Sequence, residues 1–194
     1  MLERDEIARS LTGAWGLFLD RADAMRHFDV SVDGFWRSFR VVVLVLPLYV
    51  LTSLAERTIA ASTMGPAPDA AMFLLGNAVS LGLDWITLPI VLALAARPLG
   101  IERNYSAFVI ARNWGSVIAT IPFGAISLLL LFGMIGPEIA NFLMLAALMV
   151  VLRYNFLIAR RALDVAVGFA IGIVVLDLAT SLTIALTLDA VFGF

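Results

Sequence analysis

AVGFAIGIVVLDLATSLTIALTLDAVF, residues 166–192, holds only two charged side chains, Asp177 and Asp189, and never alternates polar and apolar positions as a half-buried strand would. At about 1.5 Å per residue, a helix of this length exceeds the roughly 30 Å hydrocarbon thickness of a bilayer. Four further stretches read the same way, near residues 39–60, 71–96, 115–134 and 138–159, in a chain that is 62% hydrophobic with a mean hydropathy of +1.00. A chain this apolar buries its surface only in lipid. The expected fold class is therefore an all-α integral membrane protein. Residues 38–194 form a five-helix transmembrane bundle, and residues 1–37 form a cytoplasmic or interfacial segment with an N-terminal amphipathic helix.

Breaks between the spans are written in helix-stopping residues. Gly65-Pro66-Ala67-Pro68-Asp69 separates the first two spans and Gly136-Pro137 the third and fourth. The connection 97–114 is longer. Within it Ile101, Tyr105, Phe108 and Val109 recur at helical spacing, which predicts a second interfacial helix ending at Trp114, a residue suited to the headgroup level.

All 13 basic residues are arginines, and twelve fall on one side of this layout. Arg4, Arg9, Arg21, Arg26, Arg37 and Arg40 precede the first span. Arg97, Arg103 and Arg112 follow the second, and Arg153, Arg160 and Arg161 follow the fourth. Arg57 alone lies opposite. Because cationic loops stay in the cytoplasm, the N-terminus is expected inside and the C-terminus outside.

Composition also removes chemistries. With no cysteine there is no disulfide, thiolate nucleophile or Cys-bearing zinc site, and with no lysine there is no P-loop lysine or Schiff base. The single histidine, His27, has no second His at ligand spacing, so it reads as an ordinary interfacial residue. A net charge of −2 disfavours nucleic acid. No cofactor, metal or catalytic motif is expected, and the chain reads as non-enzymatic.

In the N-terminal segment Ile7, Leu11, Ala14, Trp15 and Phe18 share one helical face. The segment is slightly acidic, so packing on the protein's own helices competes with lying on lipid. Ser31-Val32-Asp33-Gly34 supplies an N-cap for the next helix, with Asp33 four residues before Arg37.

The costliest residues are Asp84 and Asp177, near the centres of the second and fifth spans, where an ionised aspartate costs about 2.5 to 3.5 kcal/mol. Asn77, Ser80, Asp84 and Thr87 follow one side of the second span, and Asp177, Thr180 and Ser181 form a shorter polar face on the fifth. If these faces meet, the two carboxylates share one interior site. One reading is interhelical glue, with Gly168 and Gly172 allowing close approach. The other is a proton- or cation-responsive site, since neighbouring carboxylates do not easily both ionise. Pro47, Pro89 and Pro122 each free a backbone carbonyl within a span. Asn141 and Met144 read as packing groups.

The order of a polar N-terminus, five closely spaced spans, a loop with Tyr105 and almost no tail after the last span resembles the Yip family of small membrane proteins, in its bacterial branch. The segments Phe28-Asp29-Val30-Ser31 to Gly34-Phe35-Trp36-Arg37-Ser38-Phe39, and Tyr105 to Ala111-Arg112-Asn113-Trp114, look like those of membrane proteins of alphaproteobacteria. The Asp-Leu-Tyr-Gly-Pro-like signature of the eukaryotic branch is absent, so no link to small GTPases carries over and no functional residue transfers. All-arginine usage with abundant Ala, Leu, Val and Gly fits a GC-rich bacterial genome, which implies the inner membrane.

Two function classes follow. The first is a scaffold or assembly partner of a membrane complex, docking through Trp15, Phe18, Tyr105 and Trp114. The second is a small proton- or cation-linked carrier or channel using Asp84 and Asp177. Expected partners are the lipid bilayer and a membrane-protein partner or second copy, not nucleic acid.

Overall fold

Ser31 caps the first helix that leads into the bundle. Its hydroxyl accepts a 3.0 Å hydrogen bond from the Gly34 N–H, as the sequence predicts. In the computed structural model, which describes residues 3–63 and 69–192, α1 (Arg4–Phe18) and α2 (Val32–Ser38) precede five long helices. These are α3 (Val42–Thr63), α4 (Ala70–Ala95), α5 (Tyr105–Leu131), α6 (Pro137–Leu163) and α7 (Val167–Phe192). No strand occurs among the described residues. Five helices are long and apolar enough to cross a bilayer, and the chain is a multi-pass membrane protein of the expected all-α class.

The helix ends carry the expected punctuation. Pro137 occupies the first turn of α6, where its missing N–H removes no hydrogen bond. The Asp69 carboxylate accepts from the N–H groups of Ala71 and Met72, each at 3.0 Å, and starts α4. The rest of the Gly65–Pro68 break lies outside the described residues.

The third span corrects the expected boundary. Tyr105 to Leu131 is one helix, not an interfacial helix followed by a span beginning at 115. Nothing between Ser106 and Ile121 breaks a helix, because Gly115 alone weakens one without stopping it. Gly115 instead sits against α6, where a Cβ would lie 2.6 Å from Ile158 Cδ1. Arg112 and Trp114 therefore move from a loop into the body of α5.

α5 is the central element. It packs on α3, on α6 and on both N-terminal helices, whereas α4 packs chiefly on α7. α7 also packs on α6, so the sparse part of the bundle is the seam where α4 faces α3 and α5. The principal core gathers Leu17, Val41, Leu92, Phe108, Trp114, Tyr154 and Ile158 at one end, where α4 and α6 finish and α3, α5 and α7 begin. This is the arginine-rich end. The opposite end has a small cluster around Ala55, Leu130 and Ala140.

The N-terminal segment belongs to that principal core, through Ala14, Leu17, Ala24 and Phe28. The packed face of α1 is Ser10, Gly13, Ala14 and Leu17, offset from the expected stripe, so Ile7, Leu11 and Phe18 flank the contact. Gly13 and Gly16 let the α1 backbone come close to Ala24, His27 and Phe28, and where α1 meets α6 the Tyr154 hydroxyl donates to the Ala14 carbonyl at 2.8 Å. Glu6, buried beneath α1, accepts from Arg37 Nε at 3.0 Å. Arg37 also pairs with Asp29 rather than with the expected Asp33, which is exposed. The partly buried partners win because water screens them less. The Ser31 backbone N–H, then its hydroxyl, and then the charge of Arg37 hold the Asp29 carboxyl below the usual carboxylate range. At the far end of α1, Asp20 adopts a left-handed φ of 57° and its carboxylate accepts from Arg161 Nε at 2.9 Å.

Gly168 and Gly172 do not mediate close approach, since a Cβ on either would meet nothing within 4 Å. α7 is the most exposed of the spanning helices, and its glycine face looks outward.

Candidate functional site

Asp84 and Asp177 do come together, and between them lies a residue the sequence assigned elsewhere. Arg112, two turns into α5, reaches the seam and donates from Nη2 to Asp177 Oδ1 at 3.1 Å. The two side chains are 19% and 17% exposed, low enough for the pair to feel a weakly screening environment. The same nitrogen lies 3.4 Å from the Asp84 backbone carbonyl. Placing Arg112 in a loop hid this contact. The absence of any helix breaker around it was the available signal.

Asp84 is held differently. The Ser80 hydroxyl donates to its Oδ2 at 3.4 Å, and Ser181 on α7 lies close enough to interact with the carboxyl. Asp84 Oδ1 is buried and has no hydrogen-bond partner. The Nε1–H of Trp85, a residue 8% exposed, is likewise buried without an acceptor. Asp84, Trp85, Arg112 and Asp177 line one cavity of about 200 Å³, together with Tyr49 from α3 and Asn155 from α6. Every long helix thus contributes to it. Buried polar atoms without partners are costly, and both belong to residues that line this cavity, which singles it out as the candidate site.

The remaining polar residues sort into two groups. Ser80 and Ser181 join the carboxylate site. Thr87 and Thr180 do not, because their hydroxyls bond back to the Leu83 and Leu176 carbonyls at 2.6 and 2.7 Å within their own helices. Asn77 lies one turn above Ser80. Its side-chain amide donates to the Phe73 carbonyl, while its own carbonyl accepts from the Tyr49 hydroxyl at 3.0 Å. Asn77 and Ser80 also line a second cavity of about 300 Å³, with Glu56 and Asp189. Asn141 and Met144 face a third space, of about 400 Å³, shared with Glu56.

The four residues expected to form a docking surface are not on one surface. Trp114 is 1% exposed and lies in the principal core. Tyr105, partly buried, donates its hydroxyl to the Pro89 carbonyl at 2.8 Å and ties the start of α5 to α4. Phe18 packs edge-on against Tyr154, with ring centroids 5.5 Å apart. Only Trp15 is widely exposed, stacked on Phe18 at 5.2 Å.

Comparison with known proteins finds no matching family model, no matching curated protein and no matching solved structure. Among the described residues, no group of three or more His, Cys, Asp or Glu is placed to hold a metal ion.

Proposed function

We propose that the chain is a small, non-enzymatic carrier or channel of a bacterial inner membrane, which takes a proton or small cation at Asp84. One observation carries this reading. The Arg112 guanidinium is committed to Asp177, and Asp84 in the same cavity keeps a buried oxygen with no partner. With all three groups ionised, two carboxylates and one guanidinium leave one negative charge inside the bilayer, which a proton or a monovalent cation neutralises. α4 packs sparsely on α3 and α5 while α7 is held by α6, so a shift of α4 against its neighbours would open the site, which supports this reading. The Yip-like layout remains a proposal about ancestry that rests on element order alone.

The test is flux. In proteoliposomes, wild-type protein should relax an imposed pH or cation gradient, and Asp84→Asn should abolish that response while its thermal melt stays close to wild type. Asparagine keeps the size and hydrogen bonding of aspartate but does not ionise. A wild-type gradient no faster to decay than in empty liposomes, or full flux in Asp84→Asn, removes the proposal.

With Arg112 inside the bundle, eleven arginines against Arg57 still favour a cytoplasmic N-terminus and a periplasmic end of α7. Alkaline phosphatase fused after Phe194 should be active, and green fluorescent protein at the same place should be dark. The reverse pattern would overturn the five-span orientation.

A scaffold role is the second reading. It is favoured by Trp15, Val32 and Trp36, which are 49%, 75% and 65% exposed near the arginine-rich end. It requires no flux and no sensitivity to Asp84.

A further inference from the structure

We infer that Asp84 is reached from the end of the bundle bearing Glu56 and Asp189, through a cation-selective vestibule, and is closed off from the arginine-rich end. This deepens the carrier reading by naming its route, yet the route is a geometric statement that stands or falls separately.

Three spaces follow one another along the bundle, and they shrink. The outermost, about 300 Å³, is lined by Glu56, Gly76, Asn77, Ser80 and Asp189. The next, about 200 Å³, contains Asp84, Arg112 and Asp177. Beyond the Arg112–Asp177 pair only about 10 Å³ remains, between Leu88, Phe108, Ile158 and Ile173. That is room for one water at most. Leu88, Leu92, Phe108 and Ile158 around and below it are each no more than 2% exposed, so among the described residues this layer is closed toward the arginines.

The outer two spaces meet at a polar neck. Ser80 lines the vestibule and donates into the inner cavity, to Asp84 Oδ2 at 3.4 Å. Tyr49 lines the inner cavity and donates outward, to the Asn77 carbonyl at 3.0 Å. A dehydrating ion would therefore pass from carboxylates to hydroxyls and a carbonyl before meeting Asp84. These are the hard oxygen donors that cations accept in place of water. Past the neck, Asp84, Asp177, Arg112 and Asn155 line the inner cavity, so the path ends among polar side chains and not in apolar packing.

Glu56 from α3 and Asp189 from α7 both line the vestibule. Two carboxylates in a space otherwise walled largely by apolar residues favour cations over anions before any contact is made. The deeper Arg112 does not reverse this, because Asp177 neutralises it locally.

The absence of cysteine makes the route directly testable, since a single introduced thiol reports with no background. Ser80→Cys, Thr120→Cys and Leu88→Cys probe the neck, the inner cavity and the closed layer. Glu138→Cys and Ala22→Cys, both at exposed positions, mark the two membrane faces. Each variant, in right-side-out and inside-out vesicles, is treated with membrane-impermeant methanethiosulfonates carrying either a trimethylammonium or a sulfonate group.

Ser80→Cys and Thr120→Cys should react only from the face that labels Glu138→Cys, and Leu88→Cys from neither. For Ser80→Cys the cationic reagent should be faster than the anionic one by about tenfold or more, and Glu56→Gln with Asp189→Asn should remove most of that preference. Labelling of Ser80→Cys from the Ala22 face, from both faces equally or from neither would overturn the route. Equal rates for the two reagents would overturn its selectivity. One-sided labelling without flux would keep the route and remove the carrier reading. Flux lost in Asp84→Asn together with Ser80→Cys labelling from the Ala22 face would do the reverse.

Discussion

Replacing Arg112 with leucine is expected to lower stability in detergent by about 3–5 kcal/mol, the usual penalty for leaving a buried ion partner uncompensated. The loss falls on two carboxylates at once. Asp177 loses its 3.1 Å partner, and Asp84 is left beside a second negative group with no cation between them. Asp177→Leu should be milder, because the Arg112 nitrogen already lies 3.4 Å from the Asp84 backbone and its side chain can turn to that carboxylate. The double variant Arg112→Leu/Asp177→Leu should regain most of what Arg112→Leu loses, since apolar groups of similar volume commonly replace a buried pair at little cost. Thermal melts of the four proteins form a complete cycle. A melt of Arg112→Leu indistinguishable from wild type, or a double variant worse than both singles, would show that the pair does not hold the seam.

The second large effect separates two tryptophans that look alike in the sequence. Trp114→Ala is expected to cost about 3–5 kcal/mol, the range for truncating a large aromatic in a packed interior. Trp114 is 1% exposed and sits among the residues that join α5 to the arginine-rich core. Trp15→Ala should change stability by no more than about 1 kcal/mol, because the ring is 49% exposed and its main contact is the stacked Phe18. Thermal melts of the two variants decide this. The reverse ranking would return Trp114 to a surface role and place the α1 stripe in the folding core.

These effects mark where sequence reading ended. Of the residues Ile101, Tyr105, Phe108 and Val109, the last three form the first turns of a spanning helix, and Ile101 precedes it. A Trp followed by an apolar run looks the same whether the ring rests among headgroups or against a neighbouring helix. The stripe Ile7, Leu11, Ala14, Trp15 and Phe18 marked the right side of α1 only approximately, because hydropathy locates apolar residues whereas close packing selects small ones. Ser10, Gly13 and Ala14 made the closer contact. Gly168 and Gly172 failed for the converse reason: a small-residue face permits close approach but does not supply the neighbour.

Sequence alone determined the five spans, the Gly136-Pro137 stop, the Ser31 cap, the arginine asymmetry and the two costly aspartates. Each follows from transfer energies or backbone constraints acting within a few residues. Tertiary structure decided that Arg112 lies between Asp84 and Asp177, that Trp114 is interior, and that the polar spaces narrow toward the arginines. Those facts depend on the rotational phase of each helix and on which helices become neighbours. In a bilayer a spanning helix can be apolar on every face, so the hydrophobic pattern that orients a helix in water carries little information about either.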